Sequence, residues 1–438
     1  MILFFIFTTG VVFSGQHYLT LSNTMKYKDQ VDVYFSDDYF DFMIGYGFDR
    51  SDIEDTISGA GLNWLSLEVM VDRFSLNIGN EYMGYFSGMF LSLNKDESIG
   101  RDSRFFGIVF KEEGLLSSDL FIGEMRSGTY NDTGPFVAGG VISFSKGVIN
   151  SGIGYSRFLV IDDSFPGAPS REHYTLFNSF SKGGNEIGVE LFLLRNLGKF
   201  DPVDGWVKDE YYGRGGYLYS NLSFNPFFFT LEIKDYKDIY SYYTTPVPCT
   251  PDGESINQGQ KERGGMVGVG ISKGVFETTL KSARIISEQS HLDEIQSKTK
   301  FYITDDITLD VEGFYKYREL PFRVERKINL DFETFSISIS PSLAFITEPL
   351  WDSLSFYETS LELGYNRLPF IFTLLIDKSF SQYYKDDIFY RGTVYFREDN
   401  FEISLSYGKT RTFLECGSGV CRWVPGFNGF SFFLYLRI

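Results

Sequence analysis

After its first 13 residues the chain has no apolar run approaching the ~20 residues that a membrane-spanning helix requires. If it crosses a bilayer, it does so with strands closed into a barrel. Cysteine is almost absent: Cys249, Cys416 and Cys421 are the only three in 438 residues, too few for a disulfide framework and enough for one local bridge. Histidine is equally scarce, with His17 beside the expected leader cleavage site, His173 near a strand start and His291 in a loop pattern. No Ser or Asp is spaced around His173 as a catalytic partner, and neither a P-loop nor a dinucleotide fingerprint is present. The nearest glycine-rich run, Gly264–Gly270, sits in a strand pattern with no helix after it and reads as close packing within a sheet. The sequence therefore predicts no enzyme and no cofactor. Long basic runs are missing as well, and the formal net charge is −18, so nucleic acid is excluded as a partner.

Aromatic residues, by contrast, are abundant: 46 Phe, 29 Tyr and 4 Trp make 18% of the chain. Such rings fit half-buried pleated surfaces and also collect at the two edges of a bilayer. From about residue 39 the pattern has period two. Phe401, Ile403, Leu405 and Tyr407 alternate with Glu402, Ser404, Ser406 and Gly408, and Ile307, Leu309 and Val311 with Thr308, Asp310 and Glu312. Each strand thus has an apolar side and a wet side. Tight polar turns, among them Asp72-Arg73, Lys146-Gly147, Lys182–Asn185, Lys273-Gly274 and Arg367-Leu368, alternate with longer loops. These loops lie near 49–61, 125–135, 159–171, 196–211, 238–261, 287–295, 347–353, 380–386 and 413–426. Short connections at one end and long ones at the other are the asymmetry of outer-membrane barrels. The predicted fold is all-β, an antiparallel transmembrane β-barrel of about 22 strands, within a range of roughly 16 to 24, located in the outer membrane. The strand Phe430–Ile438 would close it. The opening run MILFFIFTTGVVF, followed by Ser14-Gly15-Gln16, has the form of a signal-peptide core and cleavage site. Residues 1–15 are therefore expected as a signal peptide, 16–38 as an N-terminal segment holding the first strands, and 39–438 as the barrel. A buried N-terminal strand is the alternative for the opening run.

Two stretches depart from the hairpin rhythm. The first, GNEYMGYFSGMFLSLNKDESIGRDSRFFG, runs from Gly79 to Gly107; the second, CGSGVCRWVP, runs from Cys416 to Pro425. Both resemble a family of outer-membrane barrel proteins of Bacteroidetes-type bacteria to which no activity is assigned. In the first stretch Gly79, Asn80, Tyr82, Tyr85, Gly88, Asp96, Ile99, Gly100, Asp102 and Gly107 follow the family pattern in order. Phe86, Glu97 and Ser103 depart from its Gly, Arg and Asn. The second stretch is similar to a closing Cys-x-Gly-Gly-Val-Cys-Arg-Tyr-x-Pro signature through Cys416, Cys421, Arg422 and Pro425, with Trp423 for Tyr and Ser418 for Gly. The resemblance implies an outer-membrane location and a barrel fold, and it brings no activity with it.

The charged, glycine-rich connection within Gly79–Gly107 carries Asp96, Glu97, Arg101, Asp102 and Arg104. Folded into the lumen, it would narrow a pore and present fixed charge; an ordinary outer loop, or an added strand pair through 86–93, is the alternative. Cys416 and Cys421 suit a short disulfide in an oxidising compartment, with metal binding a poor rival for two cysteines alone. Cys249, in the loop TTPVPCTPDGES, reads as an exposed single thiol. The wet faces bear both signs, including Glu190, Glu232, Asp310, Glu325 and Glu402 against Lys234, Lys281, Arg323 and Arg391. Such groups are costly in lipid and must face water or one another. Together these features predict a porin-like channel or transporter for small hydrophilic solutes with mild cation preference. A non-conducting surface barrel, whose loops 196–211 and 238–261 bind a protein or glycan, is the alternative. Outer-membrane lipid and the barrel-assembly machinery are the expected partners.

Overall fold

The computed structural model describes residues 10–437 apart from 23–25, 38–39, 52–59, 87–89, 93–94, 97–100, 128–132, 160–168, 202–204, 208–210, 240–246, 254–260, 289, 305, 320–322, 349–353, 381–387, 399–400, 410–412, 418–419 and 425–427. Over 10–40, 45, 47–64, 92–104, 126–134, 169, 197–211, 348–357, 379, 401, 410–427 and 433–437 the description is of the backbone.

Among the described residues one sheet of 26 strands contains the wall. Two of these, Lys95–Asp96 and Gly205–Val207, only extend the end of a neighbouring strand; the other twenty-four form the wall. All neighbours are antiparallel, and the sheet closes on itself. Gly10–Ser22 pairs with Lys26–Asp37 on one side and with the last strand, Asn428–Arg437, on the other. Closure leaves no edge strand among the described residues, which is the condition for placing a sheet in lipid. The strand count falls inside the predicted range. Gly10–Gly15, expected in the leader, are part of the closing strand. The run Val11-Val12-Phe13 suits a strand as well as a leader core, so its composition does not separate the two.

The predicted turns sit where the hairpins reverse, and their chemistry explains the register. Lys146 pairs with Ile149 across Gly147-Val148, and Lys273 with Phe276 across Gly274-Val275. Gly147 and Gly274 take φ of 62° and 59°, the position a two-residue turn with the right-handed strand twist reserves for glycine. One outer connection, between Arg318 and Arg323, has only Pro321 to announce it and is absent from the sequence reading. His291 opens the strand His291–Thr304 rather than lying in a loop, its Nδ1 2.6 Å from Glu319 Oε2.

The strand alternation sorts the two faces. Leu120, Ile122, Ile153, Leu176, Ile187 and Leu191 are about half exposed and point out of the barrel. Their neighbours Phe121, Gly152, Gly154, Thr175 and Glu190 point inward and are buried or small. In Glu262–Lys273 glycine takes close-packed inward positions, and a Cβ at Gly270 would meet the Phe228 ring. An apolar exterior around a polar interior is the inverse of a soluble barrel, and it is stable only where lipid covers the outside.

Candidate functional site in the lumen

Among the described residues, the chain leaves the wall before reaching its end at one strand, Phe74–Glu81. Phe74–Glu81 is short, and its ladder with Ala60–Val71 ends at the pair Ser66 and Gly79. Beyond that pair the Leu65 N–H would lose its partner. Asn80 Oδ1 accepts it instead at 2.9 Å, from a side chain only 4% exposed. Gly79 has φ of 121°, and a Cβ there would run into the Leu65 backbone. The Gly-Asn step therefore ends one ladder and turns the chain inward. An ion pair between Glu81 and Lys111 holds the exit point.

From there the chain crosses the inner face of five strands. Met83, Phe90 and Leu91 are buried against Phe105, Val109, Phe121, Met125, Val137, Val141 and Phe158. Tyr85 stacks on Phe121 with centroids 6.0 Å apart, and Phe86 on Phe177 at 5.2 Å. Burial raises the Tyr85 hydroxyl well above its ordinary range and keeps it neutral as a donor to Asp119. The wall is shaped for these rings: a Cβ on Gly152 would lie 3.0 Å from Phe86, and one on Gly154 3.1 Å from Phe90. His173 Nδ1 meets the Phe90 carbonyl at 3.4 Å, its ring lying between Phe158 and Phe192. Ser156 sits directly across from His173 in the sheet, a neighbour that sequence spacing does not reveal. Both are fully buried, and no carboxylate hydrogen-bonds to the ring among the described residues. The motif residues Gly79, Asn80 and Gly107 thus have structural tasks. A Cβ on Gly107 would strike the Gly123 backbone of the adjacent strand.

The charged candidates are placed by backbone only. Lys95 pairs with Asp102 and Asp96 with Arg101 in a short ladder, and Arg104 pairs with Arg126. The side chains of Asp96, Arg101, Asp102 and Arg104 lie outside the described residues, as do Glu97, Gly88 and Gly100 entirely. Tyr82 is exposed at 38%.

A second connection also turns inward, although its length and composition predict an outer loop. Within the 238–261 loop, Ile239, Val247 and Cys249 pack on Phe192, Leu194, Tyr217, Tyr236, Ile285 and Leu292. Cys249 is 2% exposed and is not the exposed thiol that its polar, proline-rich surroundings predict. Proline and threonine mark a turn there, but not the side to which the turn folds. Beneath the loop Lys234 Nζ donates to Glu262 Oε2 at 3.0 Å and to the Val247 carbonyl at 3.3 Å, with both charged side chains fully buried. Lys316 bridges Asp252 at 2.5 Å and Glu294 at 3.3 Å. Burial pushes the Cys249 thiol up to about 12, so almost no thiolate exists near neutral pH. Maleimide labelling of Cys249 in the folded protein is expected to stay below about a tenth of that in denaturant; equal labelling would show the loop to be open.

Phe413–Gly417 and Val420–Val424 form a separate hairpin in the last outer loop, with Cys416 and Cys421 as direct partners. Antiparallel partners hold Cα atoms about 4.5–5.5 Å apart, inside the window of about 4.4–6.8 Å for a disulfide. The expected bridge is checked by mass spectrometry without reductant, where two alkylated thiols would refute it. The side chains of Cys416, Cys421, Arg422 and Trp423, and all of Pro425, lie outside the described residues.

No family model matches the chain, and no curated protein matches it. Among solved structures it is similar to the siderophore receptor PirA from Pseudomonas aeruginosa, at 8% identity and a TM-score of 0.51, covering 98% of this chain and 80% of that one. The usher PapC translocation pore follows at 10% identity and 0.48, covering 98% and 99%. The outer membrane protein OpdK from Pseudomonas aeruginosa has 10% identity and 0.44, covering 77% and 98%. At such identities the likeness to PirA is one of fold alone; the closed sheet and its apolar exterior make the chain an outer-membrane β-barrel.

Proposed function

We propose that the protein is a porin-like channel or transporter for small hydrophilic solutes, its path narrowed by the Tyr82–Ser92 segment. The observation that carries this reading is the polar, doubly charged inner wall of a barrel larger than the roughly 16–18 strands that already leave an aqueous channel. An inward carboxylate such as Glu312, hydrogen-bonded to the neutral Asn329 and Gln296 side chains, favours cations along that path. Planar-bilayer recording tests it: discrete conductance with a reversal potential shifted toward cations is expected, and a sealed bilayer containing folded protein would reject it. A second reading, a surface barrel binding a protein or glycan, is favoured by ordered hairpins beyond the wall, Lys199–Asp201 with Gly205–Val207 and the Cys416–Cys421 pair. No enzymatic role is proposed. The kinship suggested by the Gly79–Gly107 and Cys416–Pro425 motifs is part of the same proposal, supported by the structural tasks of Gly79 and Asn80.

A further inference from the structure

The outer face carries a charge pattern that the chain's net charge of −18 conceals. On six wall strands between Ile149 and Ile286, an outward cation stands near the long-loop end: Arg157, Arg195, Arg214, Lys237, Arg263 and Arg284. Five of them alternate with inward neighbours that are buried or glycine, such as Ser156 and Phe158 around Arg157, or Gly213 and Gly215 around Arg214, and Lys237 follows the buried Tyr236 at the end of its strand. Carboxylates on these strands lie mostly on the opposite face, as at Glu190, Glu232 and Glu262. The outward anions are fewer, and two of them hold cations in place: Glu172 pairs with Arg195 at 3.5 Å and Asp293 with Arg284 at 3.5 Å. Tyr155 and Tyr174 donate to Glu172 at 3.3 and 3.2 Å, so the first of these pairs is fixed within an aromatic rim.

Height decides what this arc meets. Each cation lies eight to ten residues from the short-turn end of its strand. At a rise of about 3.4 Å per residue and a tilt of about 40°, that is roughly 20–25 Å, near the top of an apolar band about 25 Å tall. Below the cations the outward residues are mostly apolar, among them Ile153, Leu191, Leu218, Ile233 and Val267; the exception in charge is Asp235, two residues below Lys237 and opposite Arg263 in the sheet. A guanidinium at that level extends to the headgroup plane rather than into hydrocarbon.

We propose that this arc binds the phosphorylated headgroups of lipid in the outer leaflet. Planar guanidinium groups match phosphate oxygens in pairs, and clustered cations at a bilayer surface recognise anionic headgroups. The proposal rests on the barrel's placement in the membrane and is independent of whether the lumen conducts.

The test uses the full-length protein in phosphatidylcholine vesicles doped with bisphosphorylated lipid A, or with lipid A stripped of both phosphates. Lipid retained after detergent exchange is counted by native mass spectrometry. The phosphorylated form is expected to be retained at least about tenfold more than the stripped form. Arg157→Gln/Arg214→Gln/Arg263→Gln should abolish that preference. Lys146→Gln/Lys182→Gln/Lys273→Gln, which removes the same charge from the opposite rim, should preserve it. Equal retention of the two lipids by the unmodified protein would overturn the proposal whatever the variants do, as would equal loss in both triple variants. Heat-modifiable gel mobility verifies folding in each case.

Discussion

Replacing Met83–Leu91 with a short Gly-Ser linker is expected to raise single-channel conductance several-fold while leaving the wall folded. The wall does not depend on this segment for its hydrogen bonds, because Phe74–Glu81 already pairs directly with the strand Arg101–Glu112. What the segment contributes is filling. Phe90 and Leu91 are completely buried, and full burial of such side chains contributes about 1.5–3 kcal/mol each. The Tyr85 and Phe86 stacks add to that. Several kcal/mol hold the segment against the wall, so the unmodified barrel should conduct without spontaneous large openings. Phe90→Ala, with an expected cost of about 3–5 kcal/mol, should give flickering current between the unmodified and linker-replaced levels. Conductance unchanged by the replacement would mean that the permeation path bypasses this side of the lumen, or that no path exists.

The second large effect is expected at Lys234. Removing one member of a buried ion pair leaves the other charged and desolvated, at about 3–5 kcal/mol, whereas replacing both with apolar residues is often near neutral. Lys234→Met alone should therefore lower the stability of the barrel in urea by that amount, and Lys234→Met/Glu262→Leu should recover most of it. Because Lys234 also donates to the Val247 carbonyl, the single variant loosens the inward loop as well. Cys249 labelling should then rise with the loss of stability and fall back only partly in the double variant, which cannot restore the Val247 contact. If the single variant were as stable as the parent, water would have to reach Glu262 through the loop.

These effects locate the boundary between what the chain states locally and what it states only when closed. Period-two alternation marks the strands and assigns each residue a face, because consecutive Cβ atoms point to opposite sides. The faces read for Glu190, Lys234 and Glu402 agree with the observed register. Gly147 and Gly274 mark tight turns because only a residue without Cβ takes a positive φ there freely. Gly79-Asn80 marks the departure from the wall for the same local reasons.

Closure decided the rest. Gly10–Ser22 meets Asn428–Arg437 from the far end of the chain, a pairing that no local pattern can encode. The same sliding of registers brings Ser156 opposite His173 and carries Cys249 into the interior. It also collects Arg157, Arg195, Arg214, Lys237, Arg263 and Arg284 into one arc in a sequence without a basic run. Alternation by itself determined which side each residue faces. Its height and its neighbours depend on the stagger between strands, which is set once, by the geometry that joins the first strand to the last.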